Sequence, residues 1–75
     1  MRYFFDLTQA EHSLFDYKGD EFNSLNGAQD FAMAIAQRLA STLSEEWLGW
    51  TVEVRSPAGH KHYSVPISED IGMAA

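Results

Sequence analysis

The chain opens with a strict alternation of side chains over residues 2–8, RYFFDLT. One set of alternate positions is apolar, namely Tyr3, Phe5 and Leu7. The other set is Arg2, Phe4, Asp6 and Thr8. Because successive side chains of a strand point to opposite faces, the pattern predicts a strand with one buried face. Phe4 is then left on the other face, among polar residues.

The next segment predicts a short strand and a turn. QAEHS is a polar connection, and we expect a second strand from Leu14 to Tyr17. Lys-Gly-Asp at positions 18–20 is typical of a turn. We interpret Asp16 as an aspartate that accepts hydrogen bonds from local backbone amides. A hard-cation site formed with Asp20 and Glu21 is the alternative, but the spacing of a calcium-binding loop is absent.

The spacing of apolar residues changes at Ser24, from a period of two residues to one of about 3.6 residues. The apolar stripe consists of Leu25, Ala28, Ala32, Ile35, Leu39 and Leu43. The opposite face holds Asp30, Ala34, Gln37, Arg38 and Ser41. This pattern predicts one amphipathic helix of about five turns. Ser24 is the favoured N-cap, and Asn26, with Gln29 three residues on, is the alternative. Gly49 in SEEWLGW marks the expected end of the helical region.

Two more alternating segments predict a hairpin. WTVEVRS places Trp50, Val52 and Val54 inward, and HKHYSVPI places Tyr63, Val65 and Ile67 inward, with Pro57-Ala58-Gly59 as the turn. Matching the apolar faces predicts a register with Arg55 opposite His60 and Val52 opposite Tyr63. We expect Trp50 in the core and leave the placement of Trp47 open.

These elements define an α+β domain with the order β-β-α-β-β. One amphipathic helix packs on an antiparallel sheet of roughly three to four strands. The helix stripe and the inward strand positions suffice for one core, so we expect a single domain over residues 1–68. Residues 69–75 are acidic and then small, and we expect this tail to fray.

Composition narrows the functional classes. The chain has 75 residues, no cysteine and a formal charge of −6. A domain this acidic, with five scattered cations, is badly placed to bind nucleic acid or an anionic membrane surface. No apolar segment approaches the roughly 20 residues that span a bilayer. We expect a soluble, cytoplasmic protein.

His60-x-His62 is the strongest candidate for site chemistry. Two histidines that are two apart on a strand point the same way, and in the predicted register Glu53 lies opposite His62. Such a set, with His12 as a third histidine, could bind a metal. The competing interpretation is a solvated face on which Glu53 and His62 pair across strands, and we favour it. Ser64 lies too far from His62 for nucleophilic catalysis, so no catalytic residue and no cofactor are assigned.

One set of positions, spread over nearly the whole chain, forms a recognisable pattern: Tyr3 to Asp6, Asp16, Gly19, Glu21, Gly59, Val65 and Pro66. At these positions the chain resembles a family of small bacterial proteins, from rhizobia and their relatives, known only as a domain of unknown function. The sequence departs from the family pattern at Asn26-Gly27 and at Pro57-Ala58-Gly59. The resemblance implies no activity, cofactor or catalytic residue.

The sequence thus favours a non-enzymatic protein-interaction module. Phe4 is the expected anchor, with Arg2 and Asp6 beside it on the open sheet face. Phe15 or Tyr17 of the predicted second strand could join Phe4 in an aromatic patch. Self-association through that face or through an edge strand is one form of this hypothesis, because a lone core of this size is marginal. A metal-binding or small enzymatic domain centred on His60, His62 and Glu53 is the alternative.

Overall fold

A computed structural model describes residues 1–41 and 46–68. The elements are β1 (Arg2–Gln9), β2 (His12–Leu14), β3 (Asp20–Glu21), α1 (Leu25–Ala40), β4 (Thr51–Arg55) and β5 (Lys61–Pro66). One helix therefore packs on an antiparallel sheet, and the α+β prediction is confirmed. The short strand β3, which lies between β2 and the helix, was not predicted.

The first strand, β1, is central in the sheet. The strand order is β2-β1-β4-β5, and β3 also pairs with β1. On its other side β1 pairs with β4, with Phe5 opposite Val54 and Leu7 opposite Val52. The alternation predicted for RYFFDLT places Tyr3 and Phe5 in the core, as the structure confirms.

Helix α1 presents three alanines to the sheet, and Ala28, Ala32 and Ala36 are completely buried. The other buried core residues are Tyr3, Phe5, Val52, Val54, Val65 and Ile67. Small side chains let the helix backbone lie close to the sheet, which is consistent with a domain only 17 Å thick. The predicted polar positions Asp30, Gln37 and Arg38 are exposed. Leu43, the last residue of the predicted stripe, lies outside the described residues.

The helix begins where Ser24 predicts. Ser24 is extended, with φ −155° and ψ 162°, and its Oγ accepts a hydrogen bond from the Gly27 amide at 3.3 Å. The Asn26 alternative for the N-cap is therefore wrong. The helix ends at Ala40, well before the predicted end at Gly49. Residues 46–49 form a turn, in which Gly49 has φ +91°.

The two tryptophans close one end of the core. Trp47 and Trp50 are both half-buried against the core residues, and their rings meet edge to face at 5.4 Å. Trp50, which was predicted in the core, packs against the core residues but is only half-buried. The structure gives Trp47 the same role.

The β4–β5 register differs from the prediction by two residues. Val52 lies opposite Val65, and Val54 opposite Tyr63. The turn closes on a hydrogen bond from the Ser56 amide to the His60 carbonyl at 2.9 Å, which shifts the pairing by one residue. A bulge next to Arg55 adds another. A shift of two preserves the faces, so the predicted inward residues still face the core.

Candidate interaction surface

The outer face of the sheet, opposite α1, carries the predicted interaction residues Arg2 and Phe4. Arg2 is exposed, and its Nη1 donates to the Lys18 carbonyl at 2.8 Å. Its Nε lies 3.5 Å from a carboxylate oxygen of Glu21. Phe4 is only half-exposed, because the Arg55 guanidinium carbon lies 4.7 Å from the centre of its ring. A cation over an aromatic face is a favourable contact.

The prediction that Asp6 lies on the open interaction surface beside Phe4 is wrong. The Asp6 side chain is only 1% exposed, so it is not part of the rim of an open surface. A buried carboxylate requires a charge partner and hydrogen bonds, and the structure supplies both. The prediction failed because alternation identifies the face on which a side chain lies, not what covers that face.

The cover is the segment that joins β2 to β3, residues 15–19, which we name the anchored loop. Leu7 pairs with Leu14 in β2, and Tyr3 pairs with Asp20 in β3. Between these pairs, three residues of β1 (4, 5 and 6) face five residues of the loop (15 to 19). The two surplus residues cannot stay in the plane of the sheet, so the loop leaves it. The predicted strand from Leu14 to Tyr17 is therefore wrong: β2 ends at Leu14.

Asp16 takes the place of the missing strand partner. Its Oδ2 accepts a hydrogen bond from the Phe5 amide at 3.1 Å, and its Oδ1 accepts from the Lys18 and Gly19 amides at 3.0 Å each. The predicted role of Asp16 as an acceptor for local amides is confirmed. Burial acts to raise the pKa of Asp16, but these three hydrogen bonds and the nearby charge of Arg55 outweigh it, and the pKa lies below its ordinary value.

Arg55 connects the loop to the sheet. Its Nε donates to Asp6 Oδ2 at 2.8 Å, and its Nη2 donates to Asp6 Oδ1 at 3.2 Å and to the Asp16 carbonyl at 3.1 Å. Asp6 Oδ1 also accepts from the Asp16 amide at 2.9 Å. The hydrogen bond to Asp6 raises the pKa of Arg55 above its ordinary value. Such forked, charge-assisted pairs are geometrically specific.

Gly19 makes the return to β3 possible. It is buried and has φ +70°, a conformation that favours glycine. A Cβ built at this position would lie 2.8 Å from the backbone oxygen of Tyr3. The turn predicted at Gly19 is confirmed, and the close approach explains why glycine is needed there.

The loop holds two aromatic side chains in solvent. Tyr17 is 87% exposed and Phe15 is 54% exposed, and their ring centres are 6.5 Å apart. With Phe4, Asp16 and Arg55 they line an open depression of about 480 Å³. We name Phe4, Phe15 and Tyr17 the aromatic patch. Phe4 comes from β1, and Phe15 and Tyr17 come from the anchored loop. From the sequence, contact between these rings was predicted only as a possibility.

The histidine candidates are arranged differently from the prediction. Glu53 lies opposite Ser64, not His62, and its Oε1 is 3.1 Å from Lys61 Nζ. The rings of His62 and Tyr3 are nearly perpendicular, and their centres are 6.1 Å apart. The rings of His60 and His62 are 6.3 Å apart. Across residues 1–41 and 46–68, no group of three or more histidine, cysteine or acidic side chains could hold a metal ion.

Sequence reasoning missed the pairing of Asp6 with Arg55. Both residues were predicted on the outer faces of their strands, and the observed β1–β4 pairing sets Phe4 opposite Arg55. Asp6 is therefore the diagonal neighbour of Arg55, within reach of a long side chain. Opposite charges at outward positions were a usable signal, but the β1–β4 register was needed to read it.

The fold and the site together define a small α+β domain in which a carboxylate-anchored loop crosses one face of the sheet. The chain belongs to the family described as domain of unknown function DUF6894, whose family model matches residues 2–68. Neither the curated proteins nor the solved structures contain a match to the chain. Within the described ranges, no helix has the length and apolar character needed to cross a membrane.

Proposed function

We propose that the protein is a non-enzymatic protein-interaction module that binds its partner through the aromatic patch. The observation that carries the proposal is the exposure of Tyr17 and Phe15 on the anchored loop, whose backbone is fixed by hydrogen bonds to the side chains of Asp6, Asp16 and Arg55. Ordering a loop before binding reduces the entropy lost on association. Tyrosine and phenylalanine are also enriched in the buried centres of interfaces. An intracellular location, consistent with a chain without cysteine, belongs to the same proposal.

The carboxylates beside the patch support a structural role over a catalytic one. Asp6 and Asp16 each accept three hydrogen bonds. The pKa of Asp16 is lowered, whereas a general acid or base at neutral pH needs a pKa near 7. Both carboxylates therefore fix the loop.

The properties of the edge strands favour the outer face of the sheet, rather than a sheet edge, as the docking surface. In the described part of the sheet, β5 pairs only with β4, so one of its edges has no strand partner. That edge strand contains Lys61 and Pro66 and lies next to a bulge, features that discourage pairing with another strand. The other outer strand, β2, is only three residues long.

Site-specific photo-crosslinking tests the proposal. A photoreactive phenylalanine analogue would be placed at position 17 of the full chain and activated in the cells that produce the protein. We expect a discrete, reproducible protein adduct that mass spectrometry identifies and that the purified partner reproduces. The same probe at position 37, an exposed position on α1, is the control and should not give this adduct.

A second substitution links the adduct to the patch. Phe15→Ala in the position-17 probe protein should abolish the adduct while the protein stays folded. No position-17-specific adduct, or one that survives Phe15→Ala, would refute the proposal. An adduct of twice the chain mass would identify a second copy as the partner and support the self-associating form.

A further inference from the structure

From the groups that remain free at the aromatic patch, we propose that its partner is a proline-rich segment carrying basic residues. The inference rests on the proposed function and names the chemistry of the partner. It begins from the hydrogen-bonding capacity that the anchored loop leaves unused.

Most of the acceptor capacity of the side chains beside the depression is used, and donors remain. The carboxylates of Asp6 and Asp16 each accept three hydrogen bonds, from backbone amides and from Arg55, out of about four that a carboxylate can accept. Arg55 uses its Nε and Nη2, and its Nη1 has no hydrogen-bond partner among residues 1–41 and 46–68. The hydroxyl of Tyr17 lies on a side chain that is 87% exposed. The site therefore favours a ligand that offers acceptors.

A polyproline segment offers acceptors without donors. Proline has a carbonyl but no amide hydrogen, and its left-handed extended helix leaves the backbone carbonyls free for other partners. Its pyrrolidine rings pack against flat aromatic side chains, which is how aromatic-lined grooves recognise such segments. The rings of Phe4, Phe15 and Tyr17 line a depression of this kind, open at one side.

The net charge of the chain is the reason for expecting basic residues in the partner. The chain carries a formal charge of −6, and Arg55, which lines the depression, is already paired with Asp6. An acidic protein associates faster with a cationic partner and repels an anionic one. A second copy of the chain carries the same surplus of negative charge, so electrostatics favours a different, basic partner.

Nuclear magnetic resonance titration of the full-length chain tests the inference. The probe is a synthetic polyproline peptide with an arginine at each end. The first control replaces the prolines with glycine and serine, and the second replaces the arginines with glutamate. We expect saturable shifts of the amide signals of residues 15–19 with the probe, and affinities about tenfold weaker or more for both controls.

Variants assign the binding to the patch. Tyr17→Ala and Phe15→Ala should each weaken probe binding about tenfold or more, as for aromatic residues at the centre of an interface. Tyr17→Phe keeps the ring and should lose less. Phe31→Ala removes an exposed aromatic on the helix layer and should leave the affinity unchanged, once its amide spectrum shows that it is folded.

Four results would overturn the inference. They are equal binding of the glycine–serine control, equal binding of the glutamate control, no saturable shift with the probe, and a dimer in sedimentation that Tyr17→Ala dissociates. If the position-17 crosslink forms but the probe does not bind, the proposed function stands and the partner chemistry is wrong. If that crosslink is absent, the proposed function itself fails.

Discussion

Arg55 and Asp6 lie diagonally across β4 and β1 and join through two hydrogen bonds, of 2.8 and 3.2 Å. The Asp6 side chain is 1% exposed and the Arg55 side chain 22% exposed, so water screens the pair poorly. The Arg55 guanidinium also reaches the anchored loop through the Asp16 carbonyl. The pair therefore fixes the loop as well as the two strands.

Asp6→Asn should lower the free energy of unfolding by about 3 kcal/mol, because it leaves Arg55 without its charge partner. Urea unfolding followed by circular dichroism measures this loss. Asp30→Asn changes an exposed aspartate on α1 and should shift the free energy by less than about 0.5 kcal/mol. Equal stability of the two variants would contradict the role assigned to the pair.

Gly19→Ala should destabilise the fold by about 2–3 kcal/mol, because a positive φ and a Cβ 2.8 Å from the Tyr3 oxygen act together. Gly59→Ala is the matched control. Gly59 also has a positive φ, of +91°, but a Cβ added there would meet no atom of the described residues within 4 Å. Its substitution should cost only about 1 kcal/mol. The difference between the two unfolding free energies isolates the close approach, and no difference would argue against it.

Asp16 should make stability depend on pH in the acid range. Its folded pKa lies below the ordinary value of 3.8, so its contribution is complete above that value and is lost as the pH falls through the folded pKa. Arg55 stays charged throughout, because its own pKa is raised. Unfolding free energies measured from about pH 6 to about pH 2.5 should fall less steeply below pH 4 in Asp16→Asn than in the parent chain. Identical acid slopes would contradict this assignment.

Ser24→Ala should lower the free energy of unfolding by about 1 kcal/mol, the usual effect of removing an N-cap oxygen. Its Oγ accepts the Gly27 amide, and alanine cannot replace that contact. Asn26→Ala is the comparison, because Asn26 was the rival cap in the sequence. Thermal unfolding should show little change for Asn26→Ala, and a larger loss there would reverse the assignment.

The sequence predicted the elements that depend on local periodicity. Alternation identified β1, and the 3.6-residue stripe identified α1 with its cap at Ser24. The predicted β4–β5 register was wrong by two residues. The turn closed by Ser56 and His60 shifts the pairing by one residue and the bulge beside Arg55 by another, and no apolar pattern records either. Asp16 was correctly interpreted as an acceptor for neighbouring amides. Its third hydrogen bond, from the Phe5 amide, joins segments that only the tertiary fold brings together.

The candidate site was predicted in part for the same reason. Phe4 was correctly placed on the outer sheet face, but Asp6 was wrongly expected to be exposed beside it. The burial of Asp6 could not be detected from β1 alone, because the covering residues belong to the loop. Phe15 and Tyr17 were noted as neighbours of Phe4, but the aromatic content of a loop does not reveal whether its rings point to solvent.

The groups that hold the anchored loop are not the rings that it exposes, and this separation has a consequence for sequence variation in the family. The groups that hold the loop include the carboxylates of Asp6 and Asp16, the guanidinium of Arg55 and backbone atoms of Phe5, Asp16, Lys18 and Gly19. The rings of Phe15 and Tyr17 take no part in these hydrogen bonds. Their identities can therefore change while the scaffold beneath them stays the same. Substitutions at positions 15 and 17 can change the proposed binding surface without changing the fold.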